Sequence, residues 1–177
     1  MKVLLSLIPV AALLLLACTP NENPKKYLPS HKYHYLEIDT AEMNVFGSTY
    51  IPVYSDIYHR DGTRRFSLTT TLSIRNISLA DTFYVLSINY YDSHGSLLRE
   101  YLDSNIFVHP LESVEFVVED KEKGGGAGAN FIVEWAATRK IHMPLMQTVM
   151  IGTEGKQGIS FCTDGVIIDY SERNITK

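Results

Sequence analysis

Phe66-Ser67-Leu68-Thr69-Thr70-Thr71-Leu72-Ser73-Ile74, lying between Arg65 and Arg75, decides the fold class. Phe66, Leu68, Thr70, Leu72 and Ile74 fall on one side of an extended chain and Ser67, Thr69, Thr71 and Ser73 on the other, because successive strand side chains point to opposite faces. A period of two over this length predicts a strand with one face in a core. The same logic extends outward. Phe83 to Tyr91 is rich in aromatic and branched residues, Asp92-Ser93-His94-Gly95 supplies turn chemistry, and Leu97 to Leu102 returns, which together predict a hairpin. Val114, Phe116 and Val118 alternate with Glu115, Val117 and Glu119, and Phe131, Val133 and Trp135 alternate with Ile132, Glu134 and Ala136.

Leu145 to Ile151 follows Pro144 and reads as a strand, with a short helix as the alternative. Asp61-Gly62 predicts a two-residue turn joining Tyr50–Arg60 to the strand that begins near Arg64. Asp164-Gly165 predicts another, joining Ile159–Thr163 to Val166–Tyr170. Pro52, which has no amide hydrogen to give a ladder, predicts an edge strand. Seven to nine short strands and no long amphipathic helix give an all-β expectation: an antiparallel immunoglobulin-like β-sandwich over residues 44–172, with Trp135 as its central packing residue.

The chain has 177 residues, 45% hydrophobic and 20% charged, the composition of one ordinary folded domain rather than a disordered or polytopic membrane chain. Sixteen basic against twenty acidic residues give a formal charge of −4, which excludes an electrostatic footprint for nucleic acid. Before the domain, Met1-Lys2 and the apolar run Val3 to Ala17 read as a signal peptide over 1–17, since a spanning helix needs about 20 residues. The run ends Leu15-Leu16-Ala17-Cys18, which resembles the lipobox of bacterial lipoproteins and makes Cys18 the lipidated mature N-terminus. One acyl chain anchors only marginally, at about 0.8 kcal/mol per buried methylene, and the several chains of that modification, palmitate among them, anchor stably.

Residues 18–43 are expected to form the lipidated N-terminus and a flexible tether, with three prolines between Thr19 and Lys32. His31 and His34 lie three apart there, and a solvated tether outweighs a shared metal, because two ligands without outer-shell support bind weakly. The second cysteine, Cys162, has no partner once Cys18 is acylated and is expected to be buried as a small apolar residue.

Lys123-Gly124-Gly125-Gly126-Ala127-Gly128-Ala129-Asn130 is the most pointed segment. It satisfies a relaxed dinucleotide pattern from Gly124, but that fingerprint must open a helix, and here the loop enters the strand Phe131 to Ala137. No Gly-Lys-Ser or Gly-Lys-Thr is present for a phosphate loop. The remaining readings are a strand connection, or a backbone nest whose N–H groups face an anion or a partner. Its length exceeds the 2–5 residues that most hairpin connections take, about half of what is present. On that ground Gly124, Gly125, Gly126, Gly128 and Asn130, with Tyr91 and Asp92, are the candidate binding residues, and alanine at Gly125 and Gly126 is expected to leave folding intact. Tyr90 is assigned to the core by alternation and Asp92 to the turn. Glu134 is ordinary if exposed and a candidate acid or base if enclosed.

The histidines at 59, 94, 109 and 142 lie singly in different segments, without His-Glu-x-x-His, Cys-x-x-Cys or Gly-x-Ser-x-Gly. No catalytic residue, metal ligand or cofactor is therefore assigned. Tyr50-Ile-Pro-Val-Tyr-Ser-Asp-Ile-Tyr-His, Leu68-Thr-Thr-Thr-Leu-Ser-Ile-Arg-Asn and Tyr90-Tyr-Asp-Ser-His-Gly resemble, in order, blocks of a bacterial lipoprotein family of domain of unknown function 3124. Glu115-Phe-Val-Val-Glu, Gly125-Gly-Ala-Gly-Ala-Asn-Phe-Ile-Val-Glu-Trp and Val149-Met-Ile-Gly-Thr-Glu-Gly-Lys-Gln-Gly-Ile-Ser-Phe extend the resemblance over about Thr49 to Phe161. It implies no activity and no catalytic residue.

The expectation for function is a lipid-anchored protein of the bacterial envelope, a non-catalytic module binding an envelope protein or glycan through a sheet edge or loop end. The alternative is an envelope hydrolase or small-ligand binder that uses Asp92, His94, Glu134 and the glycine-rich loop. Where two membranes exist the outer one is favoured, because Thr19 is not the aspartate that resembles an inner-membrane retention signal.

Overall fold

The computed structural model describes residues 33–120, 122, 124–153 and 158–173, which fall in one compact unit. The expected signal peptide, Cys18, the tether as far as Lys32, and His31 lie outside the described residues. Thirteen strands follow one another: β1 His34–Tyr35, β2 Val45–Val53, β3 Asp56–His59, β4 Asp61–Ser67, β5 Thr69–Arg75, β6 Phe83–Tyr91, β7 Leu97–Glu100, β8 Ile106–Val108, β9 Ser113–Val118, β10 Ala129–Ala137, β11 Leu145–Gly152, β12 Ile159–Asp164 and β13 Val166–Glu172. Among the described residues the one helical element is a 3-10 turn, Thr40–Glu42, whose first amides are met by the Asp39 carboxylate accepting from Ala41 N–H at 2.8 Å. The protein is all-β, and its sheets are antiparallel. No helix among the described residues is long and apolar enough to cross a membrane.

One sheet runs β1-β8-β6-β10-β2-β13, with β7 paired to β6; a second runs β12-β11-β5-β9; β3 and β4 form a separate hairpin. Alternation decides which face each strand buries. On β2 the buried residues are Val45, Gly47, Thr49, Ile51 and Val53, on β9 Val114, Phe116 and Val118, and on β10 Ala129, Phe131, Val133 and Trp135, after which Ala136 and Ala137 are both buried. Residues of both large sheets, Leu72, Ile74, Phe116 and Met146 from one and Ile51, Val85, Phe131 and Trp135 from the other, belong to a single core cluster. Removal of apolar area from water is what holds these sheets, about 1.5–3 kcal/mol for each large side chain fully buried.

Trp135 is fully buried, as its spacing predicts, and its indole N–H donates to the Thr49 hydroxyl at 3.2 Å. Its cross-strand partner is Gly47, and a methyl group there would fall closer than 3.0 Å to the indole atoms Cζ2, Cε2 and Nε1. The missing side chain on β2 is the space the ring fills.

Several expectations need correction. The alternation holds in burial from Leu68 to Leu72 but not at its ends, where Phe66 is half-buried and Ser73 is buried with Ile74, and the strand breaks at Leu68, whose N–H donates to the Ser55 carbonyl, so β4 pairs in the hairpin and β5 in the second sheet. Tyr50–Arg60 likewise breaks between β2 and β3. The β3–β4 turn is made by Arg60, at φ 64°, and not by Asp61-Gly62. Asp61 is already paired with His59, and its carboxylate accepts from the Thr63 N–H and hydroxyl, shaping an irregularity within β4.

Asp164-Gly165 makes no hairpin: β12 pairs with β11 and β13 with β2, so Gly165 carries the chain from one sheet to the other. A side chain there would press on Thr49, Ile51 and the Met146 carbonyl at 2.8–3.0 Å, while its own N–H donates to that carbonyl. Glycine is required by close approach, not by turn conformation. β2 is an inner strand, not an edge, yet its pairing with β13 ends at Tyr50, so Pro52 stands where no hydrogen is asked of it. The Pro52 carbonyl accepts from the Thr148 and Thr163 hydroxyls at 2.8 and 2.7 Å.

Cys162 is exposed rather than buried, because β12 is an outer strand with both faces largely open. Residues 33–43, grouped with the tether by composition, are part of the folded unit: β1 pairs with β8, the Tyr33 ring stacks on Phe116 at 4.9 Å, and Met43 is buried.

Candidate functional site

The glycine-rich loop joins β9 in the second sheet to β10 in the first. Its length beyond a hairpin connection thus has a structural cause, since it crosses between sheets. Gly124 and Gly126 take φ values of 127° and 83°, a region that favours glycine. The loop is tied down by two serines. Ser55 N–H donates to the Gly126 carbonyl at 3.2 Å, and Gly126 N–H donates to the Ser55 hydroxyl at 2.7 Å. Ser93 gives both its N–H and its hydroxyl to the Gly125 carbonyl, each at 2.9 Å, and the Ser93 oxygen accepts from Gly128 N–H. The amides of Gly126 and Gly128, which an anion nest would need, are therefore engaged within the protein.

Gly125 is buried, and a methyl group at that position would overlap the Tyr90 hydroxyl and come within 2.6 Å of Ser55 Oγ. The expectation that alanine there leaves folding intact is corrected by this contact. Tyr90 lies in the core as its alternation predicts, and its hydroxyl is buried without a hydrogen bond among the described residues. Burial pushes that phenol up, with the adjacent Ser55 hydroxyl acting the other way.

Asp92 shapes the β6–β7 turn. One of its oxygens accepts from His94 and Ser96 N–H, each at 2.8 Å, and these amides, Ser96 first, hold its carboxyl below the usual carboxylate range. Asn130, second in β10, lies beside Tyr91 on one side and Pro52 on the other, which groups Tyr91, Asp92, Asn130 and the glycines at one end of the first sheet. Glu134 is not brought to them. It is exposed, accepts from the Ser87 hydroxyl at 2.8 Å, and stands four residues along β10 from Asn130, about 14 Å at strand rise. A constellation of Asp92, His94 and Glu134 does not assemble.

Two features were not visible in the sequence. His34 on β1 is opposite Phe107 on β8, which places His109, two residues on, on the same face. The three rings meet: His34 to Phe107 at 4.9 Å, His34 to His109 at 5.1 Å, Phe107 to His109 at 5.0 Å between centroids. Glu112 completes the group, one carboxylate oxygen 3.1 Å from His34 Nε2 and the other accepting from His109 N–H at 2.7 Å. His109 lies 75 positions after His34, and the β1–β8 register brings the two together.

The second is the outer edge of the first sheet. Val166, Ile167 and Ile168 on β13 are exposed by 60, 39 and 59%. β13 pairs with β2 on one side alone, and a register shift between Ile167 and Asp169 turns Ile168 out of the ladder.

An antiparallel all-β domain whose two large sheets share one core is the class these residues define. Within it, the chain belongs to the family described as "Protein of unknown function (DUF3124)", whose model matches residues 47–168. No curated protein matches the chain. A solved structure from Thermotoga maritima, described as "Crystal Structure of Thermotoga maritima 1070", is 14% identical and covers 68% of this chain and 92% of its own, with a TM-score of 0.40. At that score the likeness carries no argument.

Proposed function

We propose that the chain is a lipid-anchored protein of the bacterial envelope, held by acylated Cys18 and in the outer membrane where two exist. In this reading the two sheets form an immunoglobulin-like sandwich that acts as a non-catalytic binding module. Its partner is an extended segment of an envelope protein that adds to the β13 edge. The observation that carries the binding mode is that edge: three consecutive exposed branched residues beside a row of backbone groups paired on one side only. Strand addition supplies affinity from main-chain hydrogen bonds and specificity from side chains that alternate into the apolar surface, and an edge left this apolar is otherwise an aggregation hazard. The anchor rests on Leu15-Leu16-Ala17-Cys18 closing the apolar run.

A photo-cross-linker placed at Val166 or Ile168 in intact cells should capture a defined envelope protein, and Ile168→Lys should abolish that capture. Cross-links that arise only from Tyr91, Asn130 or Gly128 would move the binding surface to the glycine-rich loop, and captured glycan in place of protein would overturn the strand-addition mode. Fatty-acid labelling should mark the wild type and vanish in Cys18→Ala. A water-soluble mature protein that begins at another residue overturns the anchor.

A further inference from the structure

We infer that His34, His109 and Glu112 form a binding site for a borderline divalent transition-metal ion, zinc(II) in the first instance, that fastens the first strand of the domain to the β8–β9 turn. Two imidazole nitrogens and one carboxylate are a donor set that suits such an ion and leaves a position open to solvent. Their ligand atoms all lie within 4.8 Å of one another. Bonds of about 2.0–2.2 Å in a tetrahedron bring ligands to roughly 3.3–3.6 Å, so the His34–Glu112 pair already stands near that spacing and the widest separation must close by about 1.2–1.5 Å. The His34 side chain is 41% exposed and that of Glu112 23%, so neither is sealed from an ion in solution.

The surroundings hold the donors in place. Phe107 stacks on the His34 ring at an interplanar angle of 21° and meets the His109 ring edge-on, so an apolar wall backs both imidazoles. Glu112 is aimed by the His109 N–H, the kind of outer-shell hydrogen bond that orients a ligating carboxylate. The turn His109-Pro110-Leu111-Glu112 closes with Glu112 N–H donating to the His109 carbonyl at 3.0 Å, and Leu111 sits at φ 60°. That conformation is one a glycine adopts freely and a leucine resists. Leu111 is 66% exposed, so burial of its side chain does not compensate the strain.

What imposes the turn is the neighbouring loop. Leu111 N–H donates to the Ser78 carbonyl, Asn76 N–H to the Glu112 carbonyl, and the buried Asn76 amide bridges the Asp81 and Val108 carbonyls at 2.7 and 3.0 Å. The backbone is thus fixed in the shape that sets His109 and Glu112 side by side. An ion bound there joins residues 34 and 109–112, and a clip between distant positions restricts the open chain strongly. β1 has two residues and one neighbouring strand, so it gains most from the clip.

The test uses the full-length chain without a histidine tag. Zinc(II) should bind at one equivalent by calorimetry, cobalt(II) should give the visible spectrum of a low-coordinate nitrogen and oxygen site, and the melting temperature should climb with zinc concentration. His109→Ala and Glu112→Gln preserve the backbone hydrogen bonds of the turn. Each should weaken zinc binding by more than the roughly 10–100-fold that losing an outer-shell partner costs, while its metal-free melting temperature stays near that of wild type. Binding that survives His109→Ala but is lost in His31→Ala would assign the ion to the two N-terminal histidines and overturn the proposal. Loss in Cys162→Ser alone, or no binding at micromolar zinc, overturns it equally.

Discussion

Gly47→Ala adds one methyl group against the face of the central tryptophan. The new Cβ would stand 2.5 Å from Trp135 Cε2 and 2.9 Å from Nε1, where ordinary contact begins near 3.4 Å. The indole would have to retreat by about an ångström. It cannot do so freely, because it is fully buried and its N–H is held by Thr49. Nor can β2 yield easily, since Gly47 is paired with Trp135 on one side and Tyr170 on the other. Overpacking of this kind costs about 1–3 kcal/mol, and loss of the Trp135–Thr49 hydrogen bond adds about 0.5–1.5 kcal/mol. The lower entropy of an unfolded chain with alanine gives back about 0.4–1 kcal/mol. The net destabilisation is centred near about 2 kcal/mol within a span of about 0.5–4 kcal/mol, and the central value corresponds to a melting temperature lower by about 4–8 °C for a domain of this size. Trp135 is the one tryptophan in the chain, so its fluorescence reports both the displaced ring and the unfolding. On a Trp135→Phe background the smaller ring leaves room for the methyl, and Gly47→Ala should cost clearly less, a coupling expected between touching residues. A Gly47→Ala protein that melts within a degree or two of wild type, or above it, would refute the account of the core.

Gly125→Ala should destabilise the fold by about 1–3 kcal/mol through its overlap with Tyr90 and Ser55 and so lower the melting temperature, whereas Gly62→Ala, with nothing within 4 Å of the added carbon, should leave the melting temperature within a degree of wild type. Asp61, Asp81, Asp92 and Glu172 are all held below the usual carboxylate range by hydrogen bonds, from Thr63, Arg139, the Ser96 amide and Tyr170 respectively. Their stabilising contribution is complete above the ordinary carboxylate pKa values and is lost as pH falls through the depressed ones. Denaturant unfolding followed between pH 6 and pH 2 should therefore weaken mainly below about pH 4, and Asp92→Asn should flatten that slope. Cys162 on the open face of β12 should react with a thiol reagent in the native protein, without prior denaturation; reaction only after unfolding would contradict its exposure.

Alternation was sufficient to find most strands, because each buries one face and so writes a period of two: β9, β10 and β11 lie where the pattern puts them, and β5 is the second half of the run that it read as one strand. Partnership between strands was not legible. Asp164-Gly165 has hairpin chemistry and makes none, since what decides is that β12 and β13 continue different sheets. The same ignorance of pairing made the glycine-rich loop look overlong, when it has to cross from β9 to β10 in the other sheet. Cys162 was misread because composition says nothing of which strand is outermost. His34 and His109 stood in unrelated segments until the register of β1 on β8 put them on one face. The turn role of Asp92 and the core role of Tyr90, by contrast, are local matters, and local residues decided them.

The passage of the chain through Gly165 bears on how the domain comes apart. Terminal strands ordinarily open first and alone, at little cost, because only one neighbour holds them. Here the last described strand is tied through a single residue, Gly165, to the outermost strand of the opposite sheet. Peeling β13 from β2 loads β12 at once, so the C-terminal end behaves as a rivet between sheets rather than as a loose flap. The two sheets are thereby coupled mechanically as well as through their common core, and amides of β12 and β13 should exchange their hydrogens as one cooperative unit.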